Sequence, residues 1–221
     1  QGEHHLVAQK NAITMKRKSL LLLAATALVA MVFTACSETD NSANEFPNWQ
    51  ATNETYFDSI YNVAKANSAQ WKVIPNITLP SAAVKKSADN VAIQVIEAGA
   101  GSEYAMQNDT VRVILQGRLK PSPGYPQGKV FQQTYVGTGD KTTASVAKMA
   151  MVTAVPGLQT ALQNMPIGAK WRIYVPYQLG FGSAQGTGTV APALSTTVSV
   201  PAYSTLIYTI ELVSILRQGH K

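Results

Sequence analysis

The stretch VPGLQTALQNMPIGAKWRIYVPYQLGFG, residues 155–182, decides the fold. It reads as helix, turn, strand and loop. Leu158, Ala161, Leu162 and Met165 recur at i, i+3, i+4 and i+7, one apolar face of a short helix. Pro156 and Gly157 open it, because a first helical turn has no partner for the missing N–H anyway. Pro166 and Gly168 stop it. Trp171, Ile173 and Val175 then alternate with Lys170, Arg172 and Tyr174, the period of a strand with one buried face. Pro176 ends that strand, and Gly180, Phe181 and Gly182 make a loop with an aromatic at its root. A short helix followed at once by a strand must bury its apolar face against a sheet, and the rest of the chain has to supply that sheet.

Upstream, Val91, Ile93 and Val95 alternate with Ala92, Gln94 and Ile96 in a strand ended by Gly99 and Gly101. After Asp109 and Thr110, the run VRVILQGRL places Val111, Val113 and Leu115 on one side and Arg112, Ile114 and Gln116 on the other. Residues 120–128, KPSPGYPQG, hold three prolines and two glycines and read as a structured loop. The segment KVFQQTY follows at 129–135, then a loop at 137–141. Met149, Met151 and Thr153 alternate toward the helix. Downstream, 183–200 reads as a long, almost uncharged loop, and TLIYTIELVSIL at 205–216 as the last strand.

Residues 155–182 resemble the FKBP-type peptidyl-prolyl isomerases, whose equivalent reads roughly V-I-x-G-W-x-x-x-L-x-x-M-x-x-G-x-K-x-x-x-x-I-P-x-x-x-A-Y-G. The likeness continues through VRVILQGRL with Gly117, the segment after Lys129, Val200-Pro201 before Leu206, and the closing strand, so it spans about residues 88–216. It implies an α+β fold: an FKBP-like curved antiparallel sheet wrapped around one short helix, preceded here by an N-terminal helix and a lipoprotein signal. The family's pocket carries over as follows. Its strand tyrosine falls on Leu115, its phenylalanine and the next aspartate on Phe131 and Gln132, and a hydrophobic residue before the helix near Met149. The V-I pair falls on Ala154 and Val155, the floor tryptophan on Leu158, the loop tyrosine on Phe181, the flap isoleucine on Val200 and the late phenylalanine on Tyr208. The resemblance thus implies Phe131, Gln132, Val155, Leu158, Phe181 and Tyr208 as catalytic residues, and Leu115, Met149, Ala154 and Val200 as substrate-binding ones. Four departures reduce the polar trim of an otherwise apolar cup: Leu115, Gln132, Leu158 and Phe181.

Such a site needs no nucleophile, cofactor or metal. The transition state of X–Pro rotation is a twisted amide, and a dry pocket that binds it better than the planar form lowers the barrier. His4, His5 and His220 all lie in terminal segments, and no zinc-spaced or Ser/His/Asp set competes.

The remaining chain supplies an address. Residues 1–14 have no clear period and read as an upstream extension. A signal peptide follows at 15–35: Lys16, Arg17 and Lys18 are its basic start, and its apolar run, 20–33, falls short of the roughly 20 residues that span a bilayer. Phe33-Thr34-Ala35-Cys36 resembles the lipobox of bacterial, Bacteroidetes-like lipoproteins, which implies lipidation at Cys36. Cys36 is the one cysteine, so no disulfide forms within the chain; the alternative is a buried thiol in a plain transmembrane anchor. Several acyl chains suffice for stable anchoring, which places the mature chain in the bacterial cell envelope, at the outer membrane on its periplasmic or surface face. Polar residues 36–47 read as a tether. Residues 48–72 read as a helix with Trp49, Tyr56, Ile60, Val63 and Ala64 in a stripe, which either pairs two copies as a homodimer or packs on its own domain. A linker, 73–87, leads to the FKBP-like domain at 88–217 and a tail at 218–221. Net charge is +6, but four of the eighteen cations and one of the twelve anions precede Cys36, leaving +3. That balance, without basic residues interleaved with aromatics, argues against a nucleic-acid partner.

Two functions fit. One is an envelope peptidyl-prolyl cis-trans isomerase, or rotamase, of reduced activity, which acts on proline-containing polypeptides and assists the folding of exported proteins. The other is a non-catalytic FKBP-like lipoprotein that binds peptides or proteins.

Overall fold

The computed structural model describes residues 46–135, 144, 146–190 and 196–217. The readings of residues 1–45, including lipidation at Cys36, and of 137–141 and 218–221 lie outside the described residues.

Among the described residues, two α-helices and nine strands follow in order: α1 (Trp49–Ala66), β1 (Trp71–Pro75), β2 (Asn90–Glu97), β3 (Thr110–Leu119), β4 (Val130–Gln133), β5 (Ala147–Ala150), α2 (Pro156–Leu162), β6 (Lys170–Val175), β7 (Gly186–Val190), β8 (Thr196–Val200) and β9 (Leu206–Leu216). One sheet joins the strands in the order β1-β2-β6-β9-β3-β4-β7-β8, with β5 also on β3. Every ladder is antiparallel except β4–β7, a parallel contact at Gln133↔Val190. The α+β expectation with one short crossing helix holds.

Period-two alternation sorts the sheet into two faces. Ile93, Ile173 and Tyr208 are direct cross-strand neighbours, and all three belong to the main core with Leu158, Ala161, Leu162 and Met165 beside α2. One residue along, Ala92, Tyr174 and Ile207 are neighbours of the opposite parity. They pack with Phe57 and Ala64 of α1 and with Trp71 and Val73 of β1. The two helices therefore lie on opposite faces of the sheet.

Of the apolar stripe of α1, Trp49, Tyr56, Ile60 and Ala64 pack on their own domain, whereas Val63 is 44% exposed. Asn53 ties the helix down. It is fully buried, its Oδ1 accepts from the backbone N–H of Thr205 at 2.8 Å, and its Nδ2 donates to the Trp49 carbonyl at 2.7 Å. Trp49 Nε1 donates to Ser204 Oγ at 2.8 Å.

Four segments differ from expectation. The helix read over 48–72 ends at Ala66, where Asn67 leaves helical geometry and its Nδ2 donates to the Val63 carbonyl at 2.7 Å. Trp71–Pro75, assigned to helix end and linker, is the edge strand β1, in register with β2 from Trp71↔Gln94 to Pro75↔Asn90. The alternation read through Met149, Met151 and Thr153 stops at Ala150, and Met151–Thr153 is a 3-10 turn. The loop read at 183–200 holds the hairpin β7–β8, paired from Gly186↔Val200 to Val190↔Thr196.

Candidate functional site

Nine of the ten residues carried over from the family pattern lie in the main hydrophobic core or pack against it. Leu115, Phe131, Leu158, Val200 and Tyr208 are buried members of a single core cluster, and Met149, Ala154, Val155 and Phe181 are half-buried against it. Gln132 is half-buried on β4.

The floor is set by a glycine. Gly117 on β3 stands in register between Tyr208 on β9 and Gln132 on β4. A Cβ at Gly117 would lie 2.7 Å from Phe131 Cζ and 3.1 Å from Tyr208 Cε1. With no side chain there, the two rings meet edge to face, centroids 5.6 Å apart at 78°, the arrangement that aromatic quadrupoles favour. The register slips between Gly117 and Arg118, and such a bulge re-aims side chains locally. Leu115 is held by Thr134, whose Oγ1 accepts from the Leu115 N–H at 3.0 Å and whose N–H donates to the Leu115 carbonyl at 3.0 Å.

A roof comes from β7. A Cβ at Gly186 would fall 2.3 Å from the Phe181 ring, and one at Gly188 would fall 2.2 Å from the Phe131 carbonyl oxygen and 2.6 Å from its Cδ2. The hairpin thus lays bare backbone directly on two aromatic side chains. Beneath it Phe131 is 0% exposed and Leu158 and Tyr208 are each 2% exposed, so the floor is closed. The rim, formed by Ala154, Val155, Met149 and Phe181, is half open.

Polar groups are few. Val155 precedes α2, and its carbonyl accepts from the N–H groups of Leu158 at 2.9 Å and Gln159 at 3.0 Å. Its own N–H has no hydrogen-bond partner among the described residues. The same is true there of the Gln132 amide and the Tyr208 hydroxyl. Burial pushes the Tyr208 phenol above its ordinary range, which keeps it a neutral donor. None of the ten residues carries a charge at neutral pH. The arrangement can hold an apolar ring and offer it hydrogen-bond donors; it has no group for nucleophilic or acid–base chemistry.

Sequence reasoning did not identify the roof of glycines, the free N–H of Val155 or the unpartnered Tyr208 hydroxyl. The alternation Gly186-Thr187-Gly188-Thr189 was the available signal, since only glycine allows backbone to approach a ring so closely. Four clefts elsewhere have none of Phe131, Val155, Leu158, Phe181 or Tyr208 in their walls. One, of about 360 Å3, lies between Glu54 and Asp58 of α1 and the turn at Tyr177. Among the described residues no three His, Cys, Asp or Glu come together to hold a metal, and no helix is long and apolar enough to cross a membrane.

Residues 101–213 match the family model described as FKBP-type peptidyl-prolyl cis-trans isomerase. The chain is 30% identical over 135 residues to the peptidyl-prolyl cis-trans isomerase Mip of Coxiella burnetii, covering 61% of this chain and 49% of that protein. It is 31% identical over 133 residues to the FKBP-type 22 kDa peptidyl-prolyl cis-trans isomerase of Escherichia coli, covering 60% and 53%. It thus spans about half the length of the curated relatives it matches. Among solved structures, a peptidyl-prolyl cis-trans isomerase from Pseudomonas syringae superposes with a TM-score of 0.50 at 24% identity, covering 76% of this chain and 96% of that one; this likeness concerns the fold.

Proposed function

Because the chain belongs to the FKBP-type peptidyl-prolyl cis-trans isomerase family, we propose that it speeds rotation about X–Pro bonds in exported proteins and thereby assists their folding. The observation that supports this reading is that Phe131, Leu158 and Tyr208 are buried in the main core while Val155 and Phe181 stay half-buried against it. Rotation faces a barrier of about 18–20 kcal/mol because the amide must lose its C–N resonance. The proline ring enters at the rim between Val155 and Phe181. The dry surroundings favour the twisted amide, whose carbonyl is less polar than the planar one. Val155 N–H and the Tyr208 hydroxyl are the donors available to the substrate's carbonyls. The hydroxyl at Tyr208, where the family pattern has phenylalanine, offsets the one absent at Phe181.

The direct test is the isomerisation rate of proline tetrapeptides with Leu or Phe before the proline, using the full chain in non-ionic detergent. Acceleration with either is expected; none with both overturns the reading. Tyr208→Phe, which preserves the ring, is expected to lower kcat/KM by roughly two- to tenfold, the worth of one hydrogen bond of about 0.5–1.5 kcal/mol. An unchanged value would remove the hydroxyl from the mechanism while leaving the pocket in place.

A second reading is favoured by the closed floor and by the altered Leu115 and Gln132: an FKBP-like module that binds peptide without turning it over. Binding of a prolyl peptide with no acceleration, unaltered by Gln132→Asp with Leu158→Trp and Phe181→Tyr, is its signature.

The address is part of the proposal. Lipidation of Cys36 would tether the domain to the cell envelope, at the outer membrane, on its periplasmic or surface face. Metabolic labelling with a fatty acid should mark the wild type and not Cys36→Ala; equal labelling of both rules this anchor out.

A further inference from the structure

The face of the sheet opposite α2 is only partly covered. Helix α1 lies over β1, β2 and β6. Beyond it a polar row crosses four strands in register, Arg172↔Thr209↔Gln116↔Gln133. Two clefts open on this row, of about 300 Å3 and 360 Å3, and both include Gln116, Arg172 and Thr209 in their walls. They adjoin along this row as a two-part trough, one part reaching the loop at 120–128 and the other Lys170.

We propose that this trough is a docking site for an acidic, extended segment of a partner polypeptide. Its charges are Arg118, Lys170 and Arg172 against a single carboxylate, Glu211. Glu211 is buried and stands directly opposite Lys170 in the β6–β9 ladder, and three cations to one carboxylate make the lining net positive. Arg118 is held in place: its Nε donates to Gln116 Oε1 at 2.7 Å and its Nη1 to the Gly128 carbonyl at 3.0 Å. The Nε of Arg172 reaches Thr209 Oγ1 at 3.4 Å. A planar guanidinium fixed in this way is suited to carboxylates, which it can bind with two parallel bonds. Pro121, Pro126 and Tyr56 wall one end. A recessed trough with walls fits a polypeptide segment better than a bilayer surface. The site is on the opposite side of the sheet from Phe131 and Tyr208, so it stands whether or not the isomerase reading does.

The test uses the full chain in non-ionic detergent and two labelled, proline-free peptides, one alternating Glu and Ser, the other Lys and Ser, followed by fluorescence anisotropy. The acidic peptide is expected to bind, the basic one not, and binding should weaken as salt rises from 0.05 to 0.5 M, by screening. Arg118→Glu and Arg172→Glu should each weaken it by at least tenfold and leave isomerisation of a proline tetrapeptide unchanged. Arg118→Gln and Arg172→Gln serve the same purpose if charge reversal prevents folding. Equal binding of both peptides, no binding of the acidic one, or unaltered affinity in the arginine variants overturns the proposal. So does binding of phosphatidylserine vesicles through these arginines without binding of the peptide, which would make the trough a membrane contact.

Discussion

At the scale of single residues, the pocket depends on positions where a side chain is missing. Gly117 allows Phe131 and Tyr208 to touch, and Gly188 allows β7 to lie on Phe131. Added methyls at these points must displace ring or backbone atoms, and overpacking of a dense core costs roughly 1–3 kcal/mol. Gly117→Ala is therefore expected to lower stability by about that amount in urea unfolding and to open the Phe131–Tyr208 contact. A variant as stable as the wild type would show that the rings can part freely. Gly188→Ala meets backbone rather than the end of a flexible side chain, so its cost should be the larger of the two. The family pattern made Phe131, Leu158 and Tyr208 legible in the sequence. It could not show how deeply they lie, because burial depends on which strand covers them.

At the scale of elements, α1 is joined to the domain by the buried Asn53 amide, the Trp49–Ser204 hydrogen bond and the packing of Phe57 and Ala64. Asn53→Ala would leave the buried N–H of Thr205 without its acceptor, a loss of roughly 1–3 kcal/mol. Phe57, 2% exposed between α1 and the sheet, should cost about 3 kcal/mol or more when cut to alanine. Both effects should appear in global unfolding; wild-type stability in either would mean that the helix frays without consequence for the sheet. The stripe of α1 was readable, but not its partner, since the outer face of the sheet reads as polar wherever Arg172 and Gln116 stand. Strand β1 was hidden for a related reason: WKVIP is short and lacks clean alternation, and only pairing with Asn90–Glu97 makes it a strand. The hairpin β7–β8 was hidden because Gly and Thr mimic a loop. Its glycines are required by the rings beneath them, and that requirement is visible only once β7 is placed over Phe131 and Phe181.

For the whole molecule, buried phenols make stability fall in alkali. Tyr56 is pushed up from 10.0 to about 12, first by burial and then by the neighbouring Tyr174 phenol, and Tyr208 is raised by burial alone. A raised folded-state value means that the stabilising contribution is complete below the unfolded value near 10 and is lost as pH climbs through the folded one. Unfolding free energy should thus decline between pH 10 and 12, and Tyr56→Phe should flatten that decline; an equally steep loss in the variant would assign it to other groups. The sequence by itself determined the α+β class, the α2–β6 unit and the long closing strand. Those features follow from local periodicity, turn residues and a family pattern, all of which are written along the chain. Only the tertiary structure decided that α1 occupies the second face of the sheet, that a glycine strand roofs the aromatic floor, and that Arg118 and Arg172 share one trough. Each of these depends on contacts between residues tens of positions apart, and no local pattern encodes which distant strand will cover a given side chain.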